Sequence, residues 1–189
     1  MFDIISTPTA PRRLFSLMFI LLSGFSLTAC LQSKSPLLTD AKPVLGDRFQ
    51  LNLFEEFIEG KAATVRTSVF HWSGDRYTGV SGDSSGVKET VVQPLAGSDF
   101  IVQISEGQIS EGKGYVYLLG RKLSEGTYQI FSMEPAFDDQ AARTKLCTAS
   151  DQFDCTITTR AQLDAIARAA AAKPPKESVV AVISVAPAQ

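Results

Sequence analysis

The sequence predicts a mainly β fold (α+β): an antiparallel meander sheet or a small β-barrel, with one C-terminal helix. Three observations lead there. Short runs rich in β-branched and aromatic residues recur between clusters of Gly, Ser and Asp. In the first run Phe49, Leu51 and Leu53 alternate with Gln50 and Asn52, the period of a half-buried strand. A single alanine-rich stretch combines helical spacing with a capping signal.

The strands follow in order. After 49–53 come Val65 and the run Ser68 to Trp72, then a turn at Ser73-Gly74-Asp75 and a short return from Tyr77 to Val80. Ser81 to Gly86 has loop composition. Further strands are expected over Val87–Leu95, Phe100–Ile104, Tyr115–Leu119 and Tyr128–Phe131. Their separators are Ala96-Gly97-Ser98, Ser105 to Gly114 and Ser124-Glu125-Gly126. Leu119 to Thr127 is a hairpin candidate, because Gly126 tolerates positive φ.

The helix is expected over about 159–172. Thr159 and Gln162 have capping-box spacing, and Leu163, Ile166, Ala167 and Ala170 share one face. Lys173-Pro174-Pro175 ends it. Ser178 to Val185 is an apolar, β-branched run that reads as a last buried strand, closing the sheet beside an earlier one.

The N-terminal end has a different character. Arg12-Arg13 precede an uncharged run of 14 residues, Leu14 to Leu27, short of the roughly 20 residues that cross a bilayer as a helix. Positive residues, a run of this length and small residues after it make an export signal. Leu27-Thr28-Ala29-Cys30 resembles the lipobox of bacterial lipoproteins with type II signal peptides. That resemblance covers residues 1–30 and implies cleavage before Cys30, a diacylglycerol on its thiol and an acyl chain such as palmitate on its amine. In that family Asp after the cysteine favours inner-membrane retention. Leu31 stands there, which implies an outer-membrane address facing the periplasm. Residues 1–29 are then a signal peptide, 30–48 a flexible tether and 49–189 a single β-rich domain.

Removing 1–29 leaves 160 of the 189 residues, with 16 Lys and Arg against 19 Asp and Glu. No basic stripe stands out, so nucleic acid is not an expected partner. With Cys30 committed to lipid, Cys147 and Cys155 remain as a pair. A structural disulfide is the expected state in an oxidising compartment. The alternatives, a metal or redox pair, lack further ligands or the C-x-x-C spacing.

No catalytic residue is singled out, and neither metal nor cofactor is expected. His71 is the one histidine. Gly82-Asp83-Ser84-Ser85-Gly86 has one serine too many for the Gly-Asp-Ser-Gly of chymotrypsin-like proteases. His71, Trp72, Tyr115 and Tyr117 form a possible cleft, with an aromatic core as the blander alternative. The expected role is a membrane-anchored envelope lipoprotein whose β-rich domain binds a protein, peptidoglycan or an apolar ligand. Two other roles stand beside it: an envelope hydrolase with His71 as base, and an inhibitor of a lytic enzyme presenting loop 147–155.

Overall fold

The computed structural model describes residues 31–54, 65–80, 87–105, 114–133, 140–150, 155–173 and 179–185. The expected signal segment, 1–29, and Cys30 lie outside the described residues. In chain order the elements are β1 (Leu31–Ser33), β2 (Arg48–Phe54), β3 (Val65–Trp72), β4 (Tyr77–Gly79), β5 (Glu89–Pro94), β6 (Asp99–Ser105), β7 (Tyr115–Ser124), β8 (Thr127–Ser132), α1 (Gln140–Leu146), β9 (Ala149–Ser150), β10 (Cys155–Thr156), α2 (Arg160–Ala171) and β11 (Val179–Val185).

Strands β2 to β8 pair in sequence order, β11 fits between β8 and β2, and β6 pairs with β7, so eight antiparallel strands close into a barrel. The small barrel is therefore the form the fold takes. Each barrel strand coincides with a run marked by its sequence pattern. Phe49 and Leu51 point inward and Gln50 outward, as alternation requires. Strand β6 departs from alternation: Phe100 to Ile104 are all buried, because its outer face is covered as well.

Register gives the barrel two ends. At one end tight turns join β3 to β4, β5 to β6 and β7 to β8. Gly126 closes the last of these with φ 69, a conformation that costs other residues more than glycine. Inside, Phe49 stacks on Phe70 with centroids 5.0 Å apart and meets Tyr77 edge-on at 4.9 Å. Trp72 lies edge-on to Tyr77, and Phe100 edge-on to Tyr128. Gly120 makes room for Phe100, whose ring takes the space that a Cβ there would need. These side chains fill the barrel toward the tight-turn end. Among the described residues, aliphatic side chains with Phe49 and Thr90 line a cavity of about 20 Å³, room for about one water.

A second core lies outside the wall. Leu163, Ile166 and Ala167 of α2 pack with Ile101, Tyr117, Leu119 and Phe131 from the outward faces of β6, β7 and β8. The capping box forms as expected, with Thr159 as N-cap and Gln162 returning to it. The Gln162 amide also donates to Leu146 O at 3.0 Å, which ties α2 to the end of α1. Arg121 grips Asp99 through two contacts of 3.0 and 2.9 Å and donates to the Ala171 carbonyl at the end of α2. Arg160, at the other end of the helix, bonds Gln93 of β5.

One expectation is corrected. The segment 30–48 is not a free tether in its described part, 31–48. Leu31, Leu38 and Leu45 are 2%, 2% and 1% exposed. From β1 the chain crosses the outside of β6 and β5, where Lys42 N donates to Val92 O at 3.1 Å. It then turns over the tight-turn end, where Leu45 joins the interior core. Tyr77 Oη accepts from Leu45 N at 3.0 Å and donates to Gly46 O at 2.9 Å. Gly46 (φ 70) turns the chain into β2. The physical reason is that the few apolar residues of this largely polar segment find niches on a finished barrel. Side-chain hydrogen bonds satisfy the extended backbone between them.

Candidate functional site

The first described residues, from Leu31, form a compact structural node. Leu31 pairs antiparallel with Tyr117 of β7 and in parallel with Cys155 of β10. Gln32 O accepts from Ile157 N at 2.8 Å. Strand β7 thus carries β1 along its first residues and β8 along its later ones. The sheet branches there, and β1, β10 and β9 continue it outward from the barrel.

Tyr117 is fully buried at the branch. Its hydroxyl lies 2.7 Å from Ser33 Oγ and accepts from Leu37 N at 3.1 Å. Gln103 Oε1 accepts from Leu37 N and Leu38 N, both at 2.9 Å. Burial pushes the Tyr117 hydroxyl above its ordinary pKa, and the bonds to Ser33 and Leu37 partly oppose this. The group therefore stays a neutral phenol that both donates and accepts.

Cys147 and Cys155 form a disulfide, with Sγ atoms 2.03 Å and Cα atoms 5.3 Å apart. It joins the residue after α1 to the first residue of β10, and β10 holds β1. Thr148 N donates to Thr156 O at 2.8 Å inside the bridge. The base of loop 147–155 is thus built into the sheet, while residues 151–154 lie outside the described residues. The protruding rigid tip that an inhibitor would present falls on those residues.

The four residues of the expected cleft do not come together. His71 and Trp72 are on β3, Tyr115 and Tyr117 on β7, and these strands are four apart in a ring of eight. His71 is exposed on the outer face, opposite Arg48 and Thr78. Among the described residues it bonds neither a serine nor a carboxylate. Trp72 is half-buried at the barrel end against Tyr77. Tyr115 is half-buried against the outer core, and Tyr117 holds the strap of 34–46. Sharing a strand face told which residues were neighbours along a strand but not which strands would be neighbours around the ring. Among the described residues no three of His, Cys, Asp and Glu cluster as metal ligands.

Sequence reading missed Ser33, Gln103 and Tyr77 as positioning residues. The signal available was Gln103 itself, one amide inside the run Phe100 to Ile104. A strand buried on both faces must give such a group a partner. No family model, curated protein or solved structure matches the chain, so its functional reading rests on this geometry.

Proposed function

We propose that this chain is a bacterial envelope lipoprotein, acylated at Cys30, whose barrel is a rigid recognition module working through its outer surface at a membrane. The observation that carries this reading is the position of Leu31. It follows the lipobox cysteine directly, and it is buried and paired on both sides. Cleavage before Cys30 would leave barrel, strap and helix whole.

The filled interior supports surface recognition over the carriage of an apolar ligand. A drug-sized ligand takes about 300–1,000 Å³, far more than the cavity of about 20 Å³. Outward residues such as Arg48, Gln50, Thr67, His71 and Thr78 are exposed and polar, the reverse of the apolar belt of a membrane-spanning barrel. A protein or peptidoglycan surface is then the partner class, at the outer membrane facing the periplasm. The test is Cys30→Ser, followed by fractionation and labelling with radioactive palmitate. The wild type takes up label and sediments with membranes, whereas the variant does neither or stays unprocessed. A variant that is cleaved normally and still sediments with membranes overturns the reading.

A further inference from the structure

Acylation at Cys30, on which this inference rests, has a geometric consequence once the strap is seen to be docked. A free chain of the length 31–48 would hold a domain roughly 20–25 Å from its anchor. Here that chain is spent on the barrel itself. Consecutive Cα atoms are about 3.8 Å apart, so the lipid-bearing residue is held within that distance of Leu31, which is fixed in a sheet by Tyr117 on one side and Cys155 on the other.

We propose that the mature protein has no spacer: the β1–β10–β9 extension of its sheet lies directly on the lipid headgroups, and the barrel presents the opposite wall, β2 to β4, away from the membrane. The occupant of that extension's surface is the bilayer, because the segment that carries Cys30 enters the described fold at Leu31. Three features make the attachment rigid. Hydrogen bonds from Tyr117 and Gln103 fix residues 33–38. The disulfide holds β10 beside β1. Tyr77 fixes Leu45 and Gly46 at the far end of the strap. Eight strands spaced about 4.8 Å and tilted about 40° close on a ring roughly 16 Å across. Strand β3 lies opposite β7 in that ring, so its outward side chains stand at least one barrel width from the anchored extension.

The acylated protein in phosphatidylethanolamine/phosphatidylglycerol vesicles tests this. A fluorophore is placed at Lys34→Cys or at Thr67→Cys, both exposed positions, and quenched by nitroxide on the lipid headgroups. Residue 34 should be quenched several-fold more than residue 67. Inserting about 12 Ser/Gly residues between Cys30 and Leu31, a reach of roughly 20 Å, should bring the two to similar low quenching with the protein still vesicle-bound. Equal quenching at 34 and 67 without the insert, in vesicle-bound protein, overturns the flush geometry while leaving the anchor standing. Cys30→Ser protein that stays on vesicles overturns the anchor reading instead.

Discussion

The Tyr117 hydroxyl lies 2.7 Å from Ser33 Oγ, across 84 residues of chain. That contact joins the barrel wall to β1, the first described strand. Tyr117→Phe keeps the ring in the outer core and removes the hydroxyl. Leu37 N keeps its bond to Gln103, and Ser33 Oγ keeps its bond to the Ser35 carbonyl. The variant therefore loses buried hydrogen bonds without leaving either group bare, a net cost of about 0.5–1.5 kcal/mol. Urea denaturation should show a loss in that range, with amide exchange rising first over residues 31–38. Uniform loss of protection across the barrel would show that Tyr117 is only a core ring.

The disulfide acts on the same seam from the other side. It spans a sequence separation of 8, and closing so short a loop stabilises by about 2.5 kcal/mol on the chain-entropy model. Cys147→Ser with Cys155→Ser should lower stability by about that amount. The loss should be local, because Cys155 is the register partner of Leu31. Amide exchange of β1 and β10 should speed up more than that of β2 or β11. The converse order would show the bridge serving α1 alone.

All eight barrel strands were legible in the sequence as short β-branched or aromatic runs between turn clusters, with the period of two plain in β2 and continuous apolar runs in β6 and β11. The last strand was also readable as one that closes the sheet, although its seat between β8 and β2 was not. The site was much less legible. Leu31, the pair Leu37-Leu38 and the pair Val44-Leu45 lie scattered among polar residues and prolines, with neither the period of two nor that of 3.6 that local reading detects. The side chains that bond the backbone of Leu37, Leu38 and Leu45, namely Tyr117, Gln103 and Tyr77, are 32 to 80 residues distant. Strands β9 and β10 have two residues each, too few to make any pattern. What looked like a tether was therefore a strap whose fit depends on a wall built later in the chain.

Gly120 and Phe100 test the packing of the barrel interior. A Cβ at position 120 would lie well inside van der Waals contact with the Phe100 ring, and Phe100 is fully buried. Gly120→Ala should destabilise by about 1–3 kcal/mol through overpacking. Phe100→Leu leaves a void and costs stability alone, but it removes the ring that the added methyl would strike. The double variant should then be more stable than the sum of the two single losses predicts. Strict additivity in the thermodynamic cycle would mean that the two residues do not share space.

Tyr77 gives a signature in pH. Burial pushes its hydroxyl up to about 12, with the bond to Leu45 N opposing the shift in part. In the unfolded chain a tyrosine titrates near 10. Below about pH 10 the phenol is protonated in both states, and this group adds no pH dependence. From about 10 to 12 the unfolded chain gives up the proton while the fold retains it, so stability falls as pH rises. The loss is on the order of 2 kcal/mol by the top of that window. Other tyrosines and the lysines titrate in the same range, so the difference between wild type and Tyr77→Phe is the quantity to measure. The variant forfeits the bonds to Leu45 and Gly46 and should be less stable at pH 8 by about 1–3 kcal/mol. The gap should narrow between pH 10 and 12, because only the wild type carries the phenol that burial holds protonated. A gap that stays constant across the window would mean that the hydroxyl ionises freely in the folded state, and the strap would then not be sealed over the barrel end.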